Sequence, residues 1–135
     1  MVYFIGQLFF FKSMGNICKN ATISTDYLGK QVTIKIERPL GSNHPKFGWA
    51  YPINYGFVPN TVSPDGEELD AYVIGPDHPI QEFTGTCIAV IHRTNDNDDK
   101  LIVVSEEMIG MTDDEIRQIT DFQEKYFQSV IQRPV

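Results

Sequence analysis

Carboxylates crowd two short stretches of this chain. Asp65-Gly66-Glu67-Glu68-Leu69-Asp70 places four acids within six residues, and Asp96, Asp98 and Asp99 stand just before Lys100. Carboxylates this close repel one another unless protons or cations intervene. Hard oxygen donors at a turn suit Mg²⁺, which binds a few carboxylates together with water and phosphate oxygens. Taken alone, each stretch also reads as a solvated acidic turn, and the second lacks the glycine and distal glutamate of an EF-hand loop. Neighbouring strands that carried both turns to one rim would build a many-carboxylate pocket with Lys100 at its edge. A third element is Tyr51-Pro52-Ile53-Asn54-Tyr55-Gly56-Phe57. Tyr51 and Phe57 read as core, whereas Tyr55, between Asn54 and Gly56, has a hydroxyl able to donate to a phosphate oxygen. No Ser-His or Cys-His pair suggests a covalent nucleophile. His78 reads as a loop residue and His92 as a strand-end residue.

The elements that must position these groups are short. Residues 31–37 alternate, with Val32, Ile34 and Ile36 on one face and Thr33, Lys35 and Glu37 on the other. That period of two predicts a half-buried strand. Further strand-like runs cover Ala50 to Val58, Leu69 to Ile74, Thr86 to His92 and Lys100 to Val104, with turn residues between them. Five short strands predict a small barrel or sandwich. Thr112-Asp113-Asp114-Glu115 is a capping-box signature, and its extra acids favour the positive end of a helix dipole. Ile116, Ile119, Gln123 or Phe122, Tyr126 or Phe127, and Val130 then recur at helical spacing, and the helix is expected to stop near Arg133-Pro134.

The chain has 135 residues, enough for one domain and one core. It is 41% hydrophobic and 21% charged, ordinary for a globular protein. A net charge of −7 argues against binding a nucleic-acid backbone. Bound cations can still invert the local field for a small phosphorylated ligand. Cys18 and Cys87 are too few for a disulfide scaffold and read as reduced thiols, which sets a cytoplasmic expectation. Residues 1–13 form an apolar extension, too short for a membrane helix and without a cationic start. It reads as a dispensable segment or, with Met14 as initiator, as a product of start-site choice; an added strand or oligomer contact is the alternative. Met14-Gly15 lacks the Ser or Thr of a myristoylation signal, with Lys19 in its place. Residues 14–135 then form the single domain.

Three segments carry a resemblance. Ile36-Glu37-Arg38-Pro39, Tyr51-Pro52-Ile53-Asn54-Tyr55-Gly56-Phe57 and Asp65-Gly66-Glu67-Glu68-Leu69-Asp70-Ala71 closely resemble the family I soluble inorganic pyrophosphatases. Asp98-Asp99-Lys100-Leu101 is similar to the family's Asp-x-Lys segment, and Phe122-Gln123-Glu124-Lys125-Tyr126 to its C-terminal helix, so the likeness spans about 31–127. The resemblance implies a mainly β (α+β) fold, a five-stranded OB-like barrel with a C-terminal amphipathic helix. It implies hydrolysis of inorganic diphosphate by metal-activated water. Asp65, Asp70 and Asp98 would hold Mg²⁺ (or Mn²⁺), with Asp96 as a further metal-site acid. Glu67 takes the place of the aspartate that activates water, beside Asp65 and Asp70. Tyr55, Lys100 and Tyr126 would contact phosphate, and Glu37 belongs to an outer acidic ring. Expected partners are a small-molecule diphosphate and further copies of the chain, with no nucleic acid and no membrane.

The chain also departs from the family pattern. Glu67 reaches one methylene further than the usual aspartate, and Phe127 stands where a lysine follows the helix tyrosine. The substrate-binding Lys-x-Glu hairpin and its following arginine are missing, leaving only Gly41 to Trp49 between Pro39 and Tyr51. Lys46, Arg38, His44 and Arg93 are the nearest cations to replace them, each individually an ordinary surface charge. A pocket opened this way suits an organic or nucleoside diphosphate as the alternative substrate. Weak metal or phosphate binding on the same fold is a second alternative, and an OB-type nucleic-acid binder a third.

Overall fold

A computed structural model describes residues 21–135. The extension over 1–13, Met14 and Cys18 lie outside the described residues. Six strands form one sheet: β1 (Gln31–Arg38), β2 (Asn54–Val58), β3 (Leu69–Ile74), β4 (Glu82–Arg93), β5 (Asp98–Val104) and β6 (Ser129–Gln132). Their order is β1-β2-β3-β5-β4-β6, and a further β1–β4 ladder closes the first five into a ring. All pairs are antiparallel except β3–β5.

The ring explains why β3 and β5 read as continuous apolar runs. Ala71, Val73, Leu101 and Val103 join Val32, Ile34, Val58, Cys87 and Val90 in a cluster fed by all five strands, the ring's interior. The alternate residues Tyr72, Ile74, Ile102 and Val104 face outward into a second cluster with Tyr51, Tyr55, Met111 and Ile116. Strands buried on both faces have no polar alternation to show. The covering element is α1 (Asp113–Glu124), whose start carries the expected reciprocal Thr112–Glu115 capping box.

Three boundaries differ from expectation by more than two residues. The helix ends at Glu124, and Ser129–Gln132 forms β6 instead of its last turns. Val130 and Ile131 are β-branched, and the C-terminal half of β4 offers an open ladder on the side away from β5. The run from Ala50 becomes a strand only at Asn54, because residues 39–51 fold into a small hairpin of their own. β4 begins at Glu82, four residues early, where Glu82 and Thr84 pair with β1 while facing solvent.

Two local features aim the site. A bulge skips Glu37, so Ile36 opposes Gly56 while Arg38 opposes Tyr55. Gly56 itself has no room for a side chain, since an added Cβ would lie 2.0 Å from the Lys35 carbonyl oxygen. Buried Asn54 ties two loops to β2 by accepting from Leu40 N at 2.8 Å and donating to the His78 carbonyl at 3.1 Å.

Candidate active site

The register of β3, β5 and β4 brings the acidic stretches together. Asp70 sits opposite Lys100 in the parallel ladder, and Arg93 opposite Asp98 in the next. Asp70 and Lys100 share the outward parity of Tyr72 and Ile102, so they stand on the face that α1 covers. The buried Lys100 ammonium donates to Asp70 Oδ2 at 2.6 Å and lies 2.9 Å from Asp98 Oδ2. Tyr55 adds its hydroxyl to the same Asp70 oxygen at 2.7 Å. Burial alone would lower the Lys100 pKa, but Asp70 and Asp98 outweigh it and hold the amine above its ordinary value. Burial, then the Asp70 charge, pushes the Tyr55 hydroxyl well above its ordinary value and keeps it a neutral donor. Burial also raises the Asp98 carboxyl, against the opposing pull of Lys100 and Arg93.

A second cation is held beside the first. Arg93 is only 6% exposed, which corrects its reading as an ordinary surface charge. Its Nε donates to Glu124 Oε1 at 3.1 Å and its Nη2 to Oε2 at 2.7 Å, while its plane lies 3.6 Å over the Phe127 ring. Its remaining nitrogen is 3.4 Å from Asp96 and 3.6 Å from Asp98. From Glu124 a chain of buried hydrogen bonds runs back to a third cation. Tyr72 donates to Glu124, Gln123 donates to the Tyr72 oxygen at 2.8 Å, Tyr51 donates to Gln123 at 2.8 Å, and Arg38 donates to the Tyr51 oxygen at 3.0 Å.

These groups open into a cavity of about 230 Å³ whose wall includes Arg38, His44, Tyr55, Asp70, Arg93 and Lys100. Of the four cations named as replacements, Arg38, His44 and Arg93 line it. Lys46 does not; its ammonium sits 5.4 Å over the exposed Phe47 ring. Tyr126 is also outside the wall and stacks on Trp49 at 5.3 Å. Asp65 caps its own turn, accepting from Ser63 Oγ at 2.7 Å and Glu67 N at 2.9 Å, yet its charge still reaches Asp98. Glu67 is exposed on that turn, and Asp96 is exposed beside Arg93. A larger cleft of about 400 Å³, between α1 and β6, includes none of the predicted site residues.

Oxygen donors of this kind fit a hard cation. Among the described residues no three His, Cys, Asp or Glu side chains converge as a ready cage. Mg²⁺ does not need one, since it is ordinarily bound through one or two carboxylates with water and phosphate completing its shell. Asp70 Oδ1 has no hydrogen-bond donor among the described residues, because Tyr55 and Lys100 both use Oδ2.

The family model described as inorganic pyrophosphatase matches residues 17–132. The chain belongs to the inorganic pyrophosphatase family. The inorganic pyrophosphatase of Pseudomonas aeruginosa is 34% identical over 76 residues, 53% of this chain and 43% of that protein. That of Rickettsia conorii is 29% identical over 87 residues, 61% of this chain and 50% of that protein. The chain thus spans about half the length of these curated relatives. Among solved structures, inorganic pyrophosphatase from Ehrlichia chaffeensis superposes with a TM-score of 0.60 at 18% identity, covering 84% of this chain and 90% of that one. The enzyme from Helicobacter pylori gives 0.59 at 22% identity, covering 76% and 84%. Both likenesses support the mainly β, OB-like pyrophosphatase fold. Residues that sequence reasoning left out of the site are Gln123, Glu124, Tyr51 and Tyr72. Their signal was present: Gln123 and Glu124 fall where the helix turns toward the core, and polar residues there demand partners.

Proposed function

We propose that this chain hydrolyses inorganic diphosphate to two phosphates in a Mg²⁺-dependent reaction at the Asp70–Lys100–Asp98 cluster. The observation that carries this is one ammonium shared by two carboxylates, with a tyrosine hydroxyl on the same oxygen, at the wall of a cavity holding two guanidinium groups. Asp70, Asp98 and Asp65 would hold the metal, with Asp96 at the edge of the group. Bound there, Mg²⁺ (or Mn²⁺) supplies a lowered pKa for water and neutralises phosphate charge.

The chain's own groups supply the rest. Lys100 stays cationic and Tyr55 stays a neutral donor, so both meet phosphate oxygens with positive charge or an O–H. Arg38 and Arg93 are oriented before substrate arrives, which spares the cost of ordering them at the moment of reaction. Arg93 stands in for part of the missing clamp. The Glu67 carboxylate takes the proton of the attacking water, which forms its bond to phosphorus as the bridging oxygen leaves with the second phosphate. No covalent intermediate is required.

Phosphate release from pyrophosphate by the purified chain, with and without Mg²⁺, tests this beside Asp70→Asn. Mg²⁺-dependent turnover lost in the variant is expected. Equal rates in the two proteins would sink the assignment.

A further inference from the structure

The segment that replaces the longer loop is a rigid presenter of aromatic rings. Ser42 and Tyr51 pair across its base, His44 N donates to the Trp49 carbonyl at 2.7 Å, and Gly48 turns at φ +82°. His44 Nδ1 accepts from both Lys46 N and Phe47 N, at 3.0 and 3.1 Å. That fixes Phe47 and Trp49 on one side of the cavity. From the turn after α1, Tyr126 completes a ladder: Phe47 stacks on Trp49 at 5.2 Å and 20°, and Trp49 on Tyr126 at 5.3 Å and 15°. Phe47 is 61% exposed and Tyr126 57%. Large rings held parallel and left open to water are not explained by packing.

A slot of about 410 Å³ lies among Phe47, Trp49, Tyr126 and Phe127. Phe47, Trp49 and Phe127 also line the cavity that holds Arg38, Arg93 and Lys100. The two spaces therefore adjoin along these three rings, one lined by cations and the other by aromatic rings. Trp49, which borders both, carries a buried indole N–H with no acceptor among the described residues.

We propose that the slot is a nucleobase subsite, so that this site takes a nucleoside diphosphate, its diphosphate in the cationic cavity and its base on the Phe47–Trp49–Tyr126 rings. The proposal rests on reading the cavity as a diphosphate site. An anionic head joined to a flat, polarisable tail is the ligand chemistry that matches both ends. Stacking of a base on an aromatic ring contributes about 1–3 kcal/mol, so the base adds on the order of tenfold or more in affinity.

The test titrates the full chain with ADP, methyl diphosphate and pyrophosphate, read by the emission of Trp49, the single tryptophan. Methyl diphosphate has the same phosphate chemistry without a base. ADP is expected to bind about tenfold or more tightly than methyl diphosphate and to quench Trp49. Phe47→Ala and Tyr126→Ala, each shown to be folded by circular dichroism, are expected to bring that ratio down several-fold. A ratio near one in the wild type, or a ratio unchanged in both variants, overturns the subsite. So does a dimer in sedimentation that Phe47→Ala dissociates while the ratio stays near one, because a second copy then covers the rings. Pyrophosphate hydrolysis by the same preparation separates the two readings. Turnover with a ratio near one discards only the base subsite, whereas a high ratio without turnover supports the subsite and discards only the hydrolysis.

Discussion

Lys100 and Arg93 stand two rungs apart on the β4–β5 ladder, each held between carboxylates, and the two sites are built to opposite ends. Both oxygens of Glu124 are engaged: Arg93 donates to each and Tyr72 adds a second donor to one. That carboxylate is 7% exposed and lies beneath α1. Asp70 and Asp98 are 29% and 20% exposed, and Asp70 keeps an oxygen with no donor among the described residues. A saturated, dry ion pair orients its arginine and stiffens the fold. A partly open one retains valence for something arriving from solvent. Burial and spare acceptors together, not the presence of an ion pair, separate the saturated pair from the one that keeps a free oxygen.

Mutations on the two sides should divide stability from activity. Glu124→Ala strands a buried guanidinium, and urea unfolding should show a loss of about 3–5 kcal/mol. Asp70→Asn keeps the shape and leaves Lys100 its second partner. Phosphate release from pyrophosphate should fall roughly 10²–10³-fold, with an unfolding free energy that moves far less than for Glu124→Ala. The contrast fails if Asp70→Asn costs more stability than Glu124→Ala. Tyr72→Phe removes a donor to Glu124 and an acceptor for Gln123, and should cost about 1–3 kcal/mol by the same unfolding measurement.

The smallest effect is on a slope. Lys100 is held above the ordinary lysine value of 10.5 by Asp70 and Asp98, despite its burial. A base raised in the folded state contributes stability that is complete below pH 10.5 and is lost as pH climbs through the raised value. Lys100→Met should therefore make the alkaline limb of the stability curve shallower. An unchanged slope would place the charge-dependent stability elsewhere.

Alternation and turn residues made the strands legible as local signals, whereas each acidic stretch alone also read as a solvated turn and the Asp70–Asp98–Lys100 group was expected only from the resemblance. Asp98 and Lys100 are neighbours along one strand, and Asp70 opens another of the same length scale. Arg93 and Glu124 were harder to see, since 31 positions separate two residues that meet only after α1 folds back over β4. A charged residue carries no mark of burial until its partner is known. Tyr126 was misplaced for a related reason. A helix carried through it would aim its ring differently, and only the preference of Ser129–Gln132 for the open edge of β4 ends that helix early.

The one parallel ladder among the described residues, β3 with β5, also bears on when this site can come into being. Asp70 and Lys100 pair directly in that ladder, yet the whole of β4 lies between them along the chain. Arg93 then waits for Glu124, near the end of the chain. Pairings of such long sequence separation close slowly. A chain not yet folded through α1 would hold Asp70, Asp98 and Lys100 together while Arg93 still lacked its Glu124 partner.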